Sequence, residues 1–186
     1  MKIHIFGASG SGVTTLGKEL SRQTDMKYFD CDDYFWEPTE LSYTKKRLPE
    51  IRNRMLNDDL GKSYNWVLGG SLIQWGYDFH STFDLAVFLW IPPEIRIERV
   101  KIREYNRFGE KNFNDPLRSK QYQEFIEWVS GYDNNSSTGR NLELHELFLK
   151  KVQCDTLEIR GDYTTEQRID MIINKINRNS MCVRQS

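Results

Sequence analysis

The sequence predicts an α/β protein with a parallel sheet covered by helices on both faces. Short apolar segments with strand character alternate along the chain with longer amphipathic segments, which is the pattern of strand–helix–strand units. The first apolar segment is followed at once by a glycine-rich turn and a helix. A length of 186 residues suits one domain of this class and allows it to bury a substantial core.

Five short segments have the composition of strands. The first, residues 2–6, is mostly apolar, as expected of a strand buried on both faces. In chain order the predicted strands are 2–6, 27–29, 66–68, 85–91 and 156–159. Helical patterns predict helices over 14–23, 48–60, 72–79, 93–108, 120–129, 142–152 and 165–178. Two segments rich in Gly, Asn and Ser, 109–119 and 131–140, are predicted to be mobile loops.

Composition argues against several classes of protein. The formal net charge is −1, which gives no electrostatic footprint for nucleic acid or for an acidic membrane. No apolar run approaches the roughly 18 residues of a membrane span, and the first residues do not have the pattern of a signal peptide. Cys31, Cys154 and Cys182 are too few and too widely spaced for a disulfide framework or a zinc site. We therefore expect a cytoplasmic location.

A glycine-rich segment, Gly7-Ala-Ser-Gly-Ser-Gly-Val-Thr-Thr15, connects the first strand to the first helix. Its glycines allow positive φ and a close approach of the backbone to an anion. The backbone N–H groups of such a turn form a concave phosphate site, backed by the positive end of the following helix. An ordinary Gly/Ser turn is the alternative, but the strand–loop–helix context argues against it. The predicted nucleotide-binding residues are Gly7, Ser9, Gly10, Ser11, Gly12, Val13, Thr14 and Thr15.

One residue departs from the phosphate-loop pattern G-x-x-x-x-G-K-[ST]. Val13 stands where the pattern has lysine, whose charge normally reaches the β- and γ-phosphates, whereas Thr14 is in place to ligate Mg²⁺. Lys18 or an arginine of the predicted lid could replace this charge. We expect the lid arginine, because Lys18 lies one turn along the helix and is expected to point away from the loop. Without replacement, turnover would fall by hundreds-fold, since one such contact is worth about 3–4 kcal/mol.

The second predicted strand leads directly into an acidic segment, Asp30-Cys-Asp-Asp-Tyr-Phe-Trp36. Carboxylates at the carboxyl end of a strand, facing a phosphate loop, are suited to hold Mg²⁺ or to accept a proton from an attacking hydroxyl. We expect Asp30 and Asp32 to share one face of an extended chain and Asp33 to cap the next turn. A solvated acidic loop is the alternative.

A row of arginines recurs along the helix predicted after the fourth strand. Spacings of 3, 4 and 4 residues place these side chains on one helical face, and the row leads into the first of the two predicted loops. Guanidinium groups match phosphate oxygens and could close over a transferring phosphoryl group as part of a lid. A solvated basic face is the alternative. The row consists of Arg96, Arg99, Arg103 and Arg107.

Glycines and aromatic residues elsewhere raise further expectations. Gly69 and Gly70, after the third strand, would permit close approach of a ligand. Tyr34 and Trp36 are suited either to stack on a base or sugar or to pack beneath the following loop. Three positions are expected to be purely structural: His4 in the core, with Phe125 and Trp128 in a packing stripe.

In these segments the sequence resembles the adenylate-kinase-like nucleoside and nucleotide kinases, a group of P-loop proteins. It is more specifically similar to the small topology-modulation-type, shikimate and gluconate kinases. The resemblance rests on the glycine-rich loop, the acidic segment, Trp66-Val-Leu-Gly-Gly70, and Arg99 and Arg103 before the lid. Val13 departs from the family, and so does Gly69, where an acid is often found.

The resemblance implies a three-layer P-loop fold with a five-stranded parallel sheet, a single domain over 1–186 and a lid at about 109–119. It implies ATP, Mg²⁺ and phosphoryl transfer to a small-molecule or nucleotide acceptor. Asp32 would serve the acceptor or the metal. Catalytic roles fall to Asp32, Arg99 and Arg103, nucleotide binding also to Arg107, and metal ligation to Thr14 and Asp30.

Two functional hypotheses follow. The first is an ATP-dependent kinase, and the second is a catalytically weak or inactive nucleotide-binding regulatory protein. Either could be a monomer or a homodimer, with no membrane partner and nucleic acid disfavoured by the net charge.

Overall fold

The computed structural model describes residues 1–39, 43–76, 79 and 81–183, with side chains described through residue 178. Its centre is a sheet of five parallel strands in the order β2-β3-β1-β4-β5. The strands are β1 (Lys2–Gly7), β2 (Lys27–Asp30), β3 (Trp66–Gly69), β4 (Leu85–Trp90) and β5 (Asp155–Arg160). The five predicted strands are therefore confirmed, with ends that differ by one residue at most.

Helices cover both faces of the sheet. They are α1 (Val13–Thr24), α2 (Cys31–Phe35), α3 (Pro49–Leu60), α4 (Pro93–Phe108), α5 (Lys111–Asn114), α6 (Pro116–Ser130), α7 (Leu142–Lys151) and α8 (Thr165–Val183). Residues on β1 alternate between two cores, which explains why the strand is apolar on both faces. Ile3 and Ile5 pack with α1 and α8, whereas Phe6 packs on the opposite side with Leu56 and Phe148. The three-layer α/β prediction is confirmed.

The strand order fixes where a ligand can bind. β1 lies between β3 and β4, so the chain leaves β1 toward one edge of the sheet and later continues toward the other. In open parallel sheets, the crevice beyond the carboxyl end of the strand at such a switch point is the usual binding site. Here that end is Gly7, the first residue of the glycine-rich loop.

The predicted helix over 72–79 is wrong in its described part. Residues 72–76 form turns, with positive φ at Gln74 (65°) and Gly76 (111°). Side chains of α3 donate to carbonyl groups that a helix would use internally: Arg52 donates to Gln74 O at 2.9 Å and Asn53 donates to Trp75 O at 2.7 Å. Tertiary hydrogen bonds therefore override the local helical pattern.

Two further segments differ from expectation. The first predicted loop, 109–119, is largely helical and contains α5 and the start of α6. The acidic segment is not extended, because residues 31–35 form α2, and Asp30 caps this helix by accepting from Asp32 N at 3.1 Å. Asp32 therefore lies on a helix, and the capping residue is Asp30 rather than Asp33.

Histidine and cysteine positions are partly described. His4 is fully buried and stacked between the rings of Phe6 and Phe83, which confirms its place in the core. Cys31 is a buried free thiol and Cys154 is free and half-buried, while the side chain of Cys182 lies outside the described residues.

Among the helices that the structure describes, none has the length and apolar character to cross a membrane.

Candidate active site

The glycine-rich loop wraps the amino terminus of α1. Gly12 precedes the helix with φ 89° and has no side chain to cap it, so the first N–H groups of α1 are left for a ligand. Gly10, with φ 84°, lies against the first turn of α4, where a Cβ would collide with the Arg96 carbonyl oxygen. Helices α1 and α4 thus fix the conformation of the loop, whose free N–H groups are available to an anion.

Asp30 connects this loop to β2. Its Oδ2 accepts hydrogen bonds from Thr14 Oγ1 at 3.2 Å and from Tyr28 Oη at 2.9 Å. The predicted metal ligands Thr14 and Asp30 are therefore adjacent, and both offer the oxygen donors that Mg²⁺ prefers. Within the described residues there is no cluster of three or more His, Cys, Asp and Glu side chains that would make an all-protein metal cage. The pair fits an ion that is completed by phosphate oxygens and water.

The glycines after β3 make room for the protein itself rather than for a ligand. A Cβ at Gly69 would collide with the Tyr28 hydroxyl, and one at Gly70 would collide with Cys31 Cβ. Tyr28 thus occupies the space beside Gly69 and orients Asp30 from there. The expectation that both glycines serve ligand approach is wrong for Gly69, while Gly70 still forms part of the cleft wall.

Asp32 and Arg140 form the polar centre of the site. Asp32 is accessible from the cleft, yet desolvation by the surrounding protein raises the pKa of its carboxyl group, against the opposing effect of Arg140. Burial lowers the pKa of the Arg140 guanidinium, while Asp32 stabilises its charged form. Arg140 also contacts the glycine-rich loop, with Nη2 3.4 Å from Ser9 Oγ. Its guanidinium thus contacts the loop and acts electrostatically on the Asp32 carboxylate.

The arginine row of α4 divides into one structural and three cleft-lining residues. Arg96 is buried, donates to Val129 O at 2.9 Å and pairs with Asp133, so it fixes α4 to the end of α6. The prediction that Arg96 shares one helical face with the other three arginines is therefore wrong, because Asp133 holds the Arg96 side chain beneath the helix. Arg99, Arg103 and Arg107 line the cleft, as their spacing predicts.

Each of the three cleft arginines has a partner. Arg99 is 2.7 Å from Asp162, in the turn between β5 and α8. Arg103 and Arg107 approach the buried Glu104 at 3.4 and 3.7 Å. None of these carboxylates is on the glycine-rich loop, and all three arginines are on α4.

The segment predicted as a lid is packed on α4. Arg118 donates to Glu104 Oε2 at 2.7 Å and to Asn112 Oδ1 at 3.0 Å, and buried Asn112 donates to Glu104 O at 2.9 Å. Arg118 also lies over the ring of Phe108. A buried carboxylate thus organises the arrangement of helices α4, α5 and α6.

Aromatic rings surround the cleft entrance. Trp36 and Tyr43 line it and meet edge to face at 6.1 Å. Tyr34, by contrast, is buried and donates to Asp59 at 3.0 Å, so it is a packing residue. Phe125 and Trp128 stack on each other and also line the cleft, so the expectation of a purely structural stripe is wrong for this pair.

A hydrogen-bonded chain leads from the core to the cleft. Ser71 Oγ lies 2.9 Å from His145 Nε2, and His145 Nδ1 lies 2.7 Å from Tyr132 Oη. Burial lowers the pKa of His145 well below the usual histidine value, so the ring is neutral. Ser71 is part of the cleft wall and is held by this neutral ring.

The cleft has a volume of about 1460 Å³. Single small-ligand pockets have volumes of roughly 300–1,000 Å³, so this space suits two bound molecules.

Among the predicted site residues, Ser11 does not line the cleft. Its side chain is buried beneath the loop, and its amide donates to Ala8 O at 3.1 Å. Those that line the cleft are Gly7, Ser9, Gly10, Gly12, Val13, Thr14, Thr15, Asp30, Asp32, Arg99, Arg103 and Arg107.

Two cations near the loop were not predicted to lie there. Lys18 lines the cleft rather than pointing away from it, and it favours the charged form of Asp33. Arg168, on the first turns of α8, donates to Ser11 O at 2.8 Å. Sequence reasoning missed Arg168, although it lies on the helix face of the buried Ile172, where a charged residue is unusual.

Comparison with known proteins agrees with this geometry. Residues 3–123 match the protein family described as AAA domain. The chain belongs to that family. The family match and the shared fold support an adenylate-kinase-like P-loop kinase group.

Two sequence relatives differ in how much of the chain they match. The chain is 39% identical to the uncharacterized protein YqaC of Bacillus subtilis (strain 168), over 95% of this chain and 98% of that protein. It is 31% identical to the cytidylate kinase of Archaeoglobus fulgidus, over 56% of this chain and 62% of that kinase.

Solved structures share the fold at low sequence identity. Shikimate kinase from Bacteroides thetaiotaomicron is 17% identical, with TM-score 0.58 over 95% of this chain and 98% of that one. Deoxyadenosine kinase from M. mycoides with bound dATP is 18% identical, with TM-score 0.56 over 95% and 100%. YorR of Bacillus subtilis, in complex with phosphorylated GDP, is 13% identical, with TM-score 0.57 over 97% and 98%. Similarity at this level establishes the fold alone.

Proposed function

We propose that this protein is a Mg²⁺-dependent phosphotransferase that moves the γ-phosphoryl group of ATP to a small acceptor. The observation that carries the proposal is that the glycine-rich loop and the Asp32 carboxylate line one cleft, where Arg140 contacts the loop at Ser9 and acts electrostatically on Asp32. The cleft volume of about 1460 Å³ leaves room for donor and acceptor together.

In the proposed reaction, the loop amides and the amino terminus of α1 bind the ATP phosphates. Asp32 accepts the proton of the acceptor hydroxyl while the oxygen of that hydroxyl forms a bond to the γ-phosphorus. The bond from the γ-phosphorus to the β–γ bridging oxygen breaks, and ADP leaves with that electron pair. The raised pKa of Asp32, caused by desolvation, makes this carboxylate a stronger base than an exposed one.

Arginines would stabilise the charge on the transferring group. Arg103 lies close enough to affect both Asp32 and Arg140 electrostatically, so it is near the reacting region. Arg99 and Arg107, about one turn before and one turn after Arg103 on α4, also line the cleft and suit the nucleotide. Thr14 and Asp30 would hold Mg²⁺, which when bound neutralises charge on the β- and γ-phosphates. We propose that residues 109–119 act as the lid.

The acceptor side of the cleft favours an anion that carries a ring. Trp36 and Tyr43 offer flat surfaces and meet edge to face. Lys46 adds positive charge to the cleft lining. A nucleoside monophosphate fits this chemistry, and the cytidylate kinase relative supports that class. We also propose a cytoplasmic location, consistent with the free thiols of Cys31 and Cys154.

The test is a search for phosphorylated product. The protein is incubated with MgATP and a panel of nucleosides, nucleoside monophosphates and sugar acids, and products are identified by mass spectrometry. We expect one class of acceptor to gain a single phosphoryl group, with Asp32→Asn much slower. Val13 favours the second candidate, a non-catalytic nucleotide-binding protein. Binding of ATP without transfer to any acceptor would establish that candidate instead.

A further inference from the structure

The absence of lysine at position 13 raises a question of charge balance. The ATP triphosphate is strongly anionic, and the phosphate-loop pattern places a cation against it from within the loop. The described structure brings two guanidinium groups to hydrogen-bond distance of loop atoms: Arg140 at Ser9 and Arg168 at Ser11. They approach from different sides of the loop and have different partners.

Arg168 is buried against the back of the loop. Arg168 is only 4% exposed, and its Nη1 donates to Ser11 O at 2.8 Å. A Cβ at Gly12 would lie 3.1 Å from Nη1, so the missing side chain of Gly12 is what lets the guanidinium approach. Arg168 also forms part of the cleft wall, together with Thr164 and Thr165.

The charge of Arg168 is only partly compensated. Its Nε and Nη2 are buried without a hydrogen-bond partner. Asp162 lies 3.8 Å from Nη2, but the same carboxylate oxygen is 2.7 Å from Arg99. Two arginines thus share one aspartate, which leaves one positive charge in excess. Burial and the repulsion from Arg99 lower the pKa of the Arg168 guanidinium. An excess buried cation is costly unless an anion binds nearby.

The other cations are less suited to this role. Arg140 interacts with Asp32, on the acceptor side of the cleft. Lys18 is exposed and interacts with Asp33. Of these three cations, Arg168 alone combines burial, contact with the loop backbone and unpartnered N–H groups.

We propose that Arg168 supplies, from α8, the positive charge that the phosphate-loop lysine supplies from position 13. It acts as a positioning residue: it holds the Ser11–Gly12 turn by a hydrogen bond and stabilises the nucleotide phosphates electrostatically. This inference rests on the proposed binding of ATP but not on phosphoryl transfer. Val13 is then a consequence of relocated charge rather than a sign of a defective site.

The experiment compares ATP affinity, by isothermal titration calorimetry with MgATP, for the wild type, Arg168→Met, Val13→Lys and the double variant. We expect Arg168→Met to weaken binding by about 10- to 100-fold, the range for loss of a charged hydrogen bond. Adding Val13→Lys to Arg168→Met should recover at least half of that loss on a logarithmic scale. Val13→Lys alone should change affinity little. Arg178→Met, on the exposed end of α8 and about 15 Å further along the helix, is the matched control.

Each other outcome overturns the inference. If the double variant binds as weakly as Arg168→Met, Arg168 only packs the loop. If Arg168→Met binds ATP as tightly as the wild type, the charge of Arg168 does not contribute to ATP affinity. Arg168→Lys is measured as well, in case the methionine variant does not fold. The lysine variant should bind ATP within about threefold of the wild type, and a larger loss of affinity contradicts a charge role. A wild type that binds no ATP would refute both proposals, whereas binding without transfer would refute only the proposed function.

Discussion

Glu104 on α4 and Arg118 on α6 form an ion pair of 2.7 Å, although 14 residues separate them in the chain. The glutamate is 6% exposed, and Arg103 and Arg107 approach the same carboxylate. One buried acid thus compensates part of the arginine row and ties the proposed lid to the helix that carries that row. The position of the lid and the charge of the cleft are therefore coupled.

Removing that carboxylate should loosen this region. We expect Glu104→Gln to lower the free energy of unfolding by about 2–3 kcal/mol, because a charged hydrogen bond is lost and three arginines then repel one another. Urea denaturation followed by circular dichroism measures the change. Glu98→Gln, on the same helix but with a side chain 63% exposed, is the control and should change stability by less than about 0.5 kcal/mol. Equal effects of the two substitutions would show that Glu104 has no special role.

Asp32 should matter for turnover rather than for ATP binding. If it is the general base, Asp32→Asn should lower kcat by about 10²- to 10⁴-fold while the Kd for ATP changes little. In the wild type, kcat/KM should rise with pH as Asp32 loses its proton, with a midpoint above that of an ordinary aspartate because desolvation raises its pKa. Asp58→Asn, on the exposed face of α3, is the control. A variant that loses affinity and turnover equally would argue against a role in proton transfer.

His4 should make stability depend on pH. Burial lowers the pKa of His4 to about 3, with the hydrogen bond to Leu68 O opposing. The folded protein then binds fewer protons than the unfolded chain, whose histidines titrate near 6.5, so stability is lost as pH falls below that value. From pH 6.5 to 5 the loss from this group is about 2 kcal/mol.

His4→Asn provides the comparison, because its amide can still donate to the Leu68 carbonyl. Chemical denaturation between pH 5 and 7 should show a slope smaller than that of the wild type by up to about 1.4 kcal/mol per pH unit. An unchanged slope would mean that His4 titrates normally in the folded protein.

Gly10 should tolerate no side chain. Its φ of 84° disfavours other residues, and a Cβ would collide with the Arg96 carbonyl oxygen. Gly10→Ala should therefore weaken ATP binding by tenfold or more and lower the unfolding free energy by about 1–3 kcal/mol. Gly109→Ala is the matched control, because Gly109 also has positive φ (55°) but no atom within 4 Å of its missing Cβ. Calorimetry and thermal unfolding would separate the two variants, and similar losses in both would attribute the effect to φ alone.

Sequence patterns predicted the parts of this protein that depend on local chemistry. The five strands follow from apolar runs, and the turn between β1 and α1 follows from Gly10 and Gly12, both of which have positive φ. The sequence could not reveal contacts between distant segments. Hydrogen bonds from Arg52 and Asn53 stabilise turns at residues 72–76, where a helix was predicted. The ion pair with Asp133 likewise separates Arg96 from the other arginines of the row.

The same limit applies to the site. The roles predicted for Asp32, Arg99, Arg103 and Arg107 remain to be tested, although all four line the cleft. Arg168 was missed because its partner, Ser11, is 157 residues away in the chain. Only the packing of α8 against α1 brings the two residues together.

The fit of Tyr28 beside Gly69 constrains how this protein can change over evolutionary time. An acidic residue at position 69 would need the volume that Tyr28 now occupies, so an acid cannot be introduced there while the tyrosine remains without a clash. We expect homologous chains with an acid after β3 to carry a small residue at the position of Tyr28, and the two positions to covary. An ancestral switch between the two arrangements would require paired substitutions, which makes this pair a marker for separating lineages within the family.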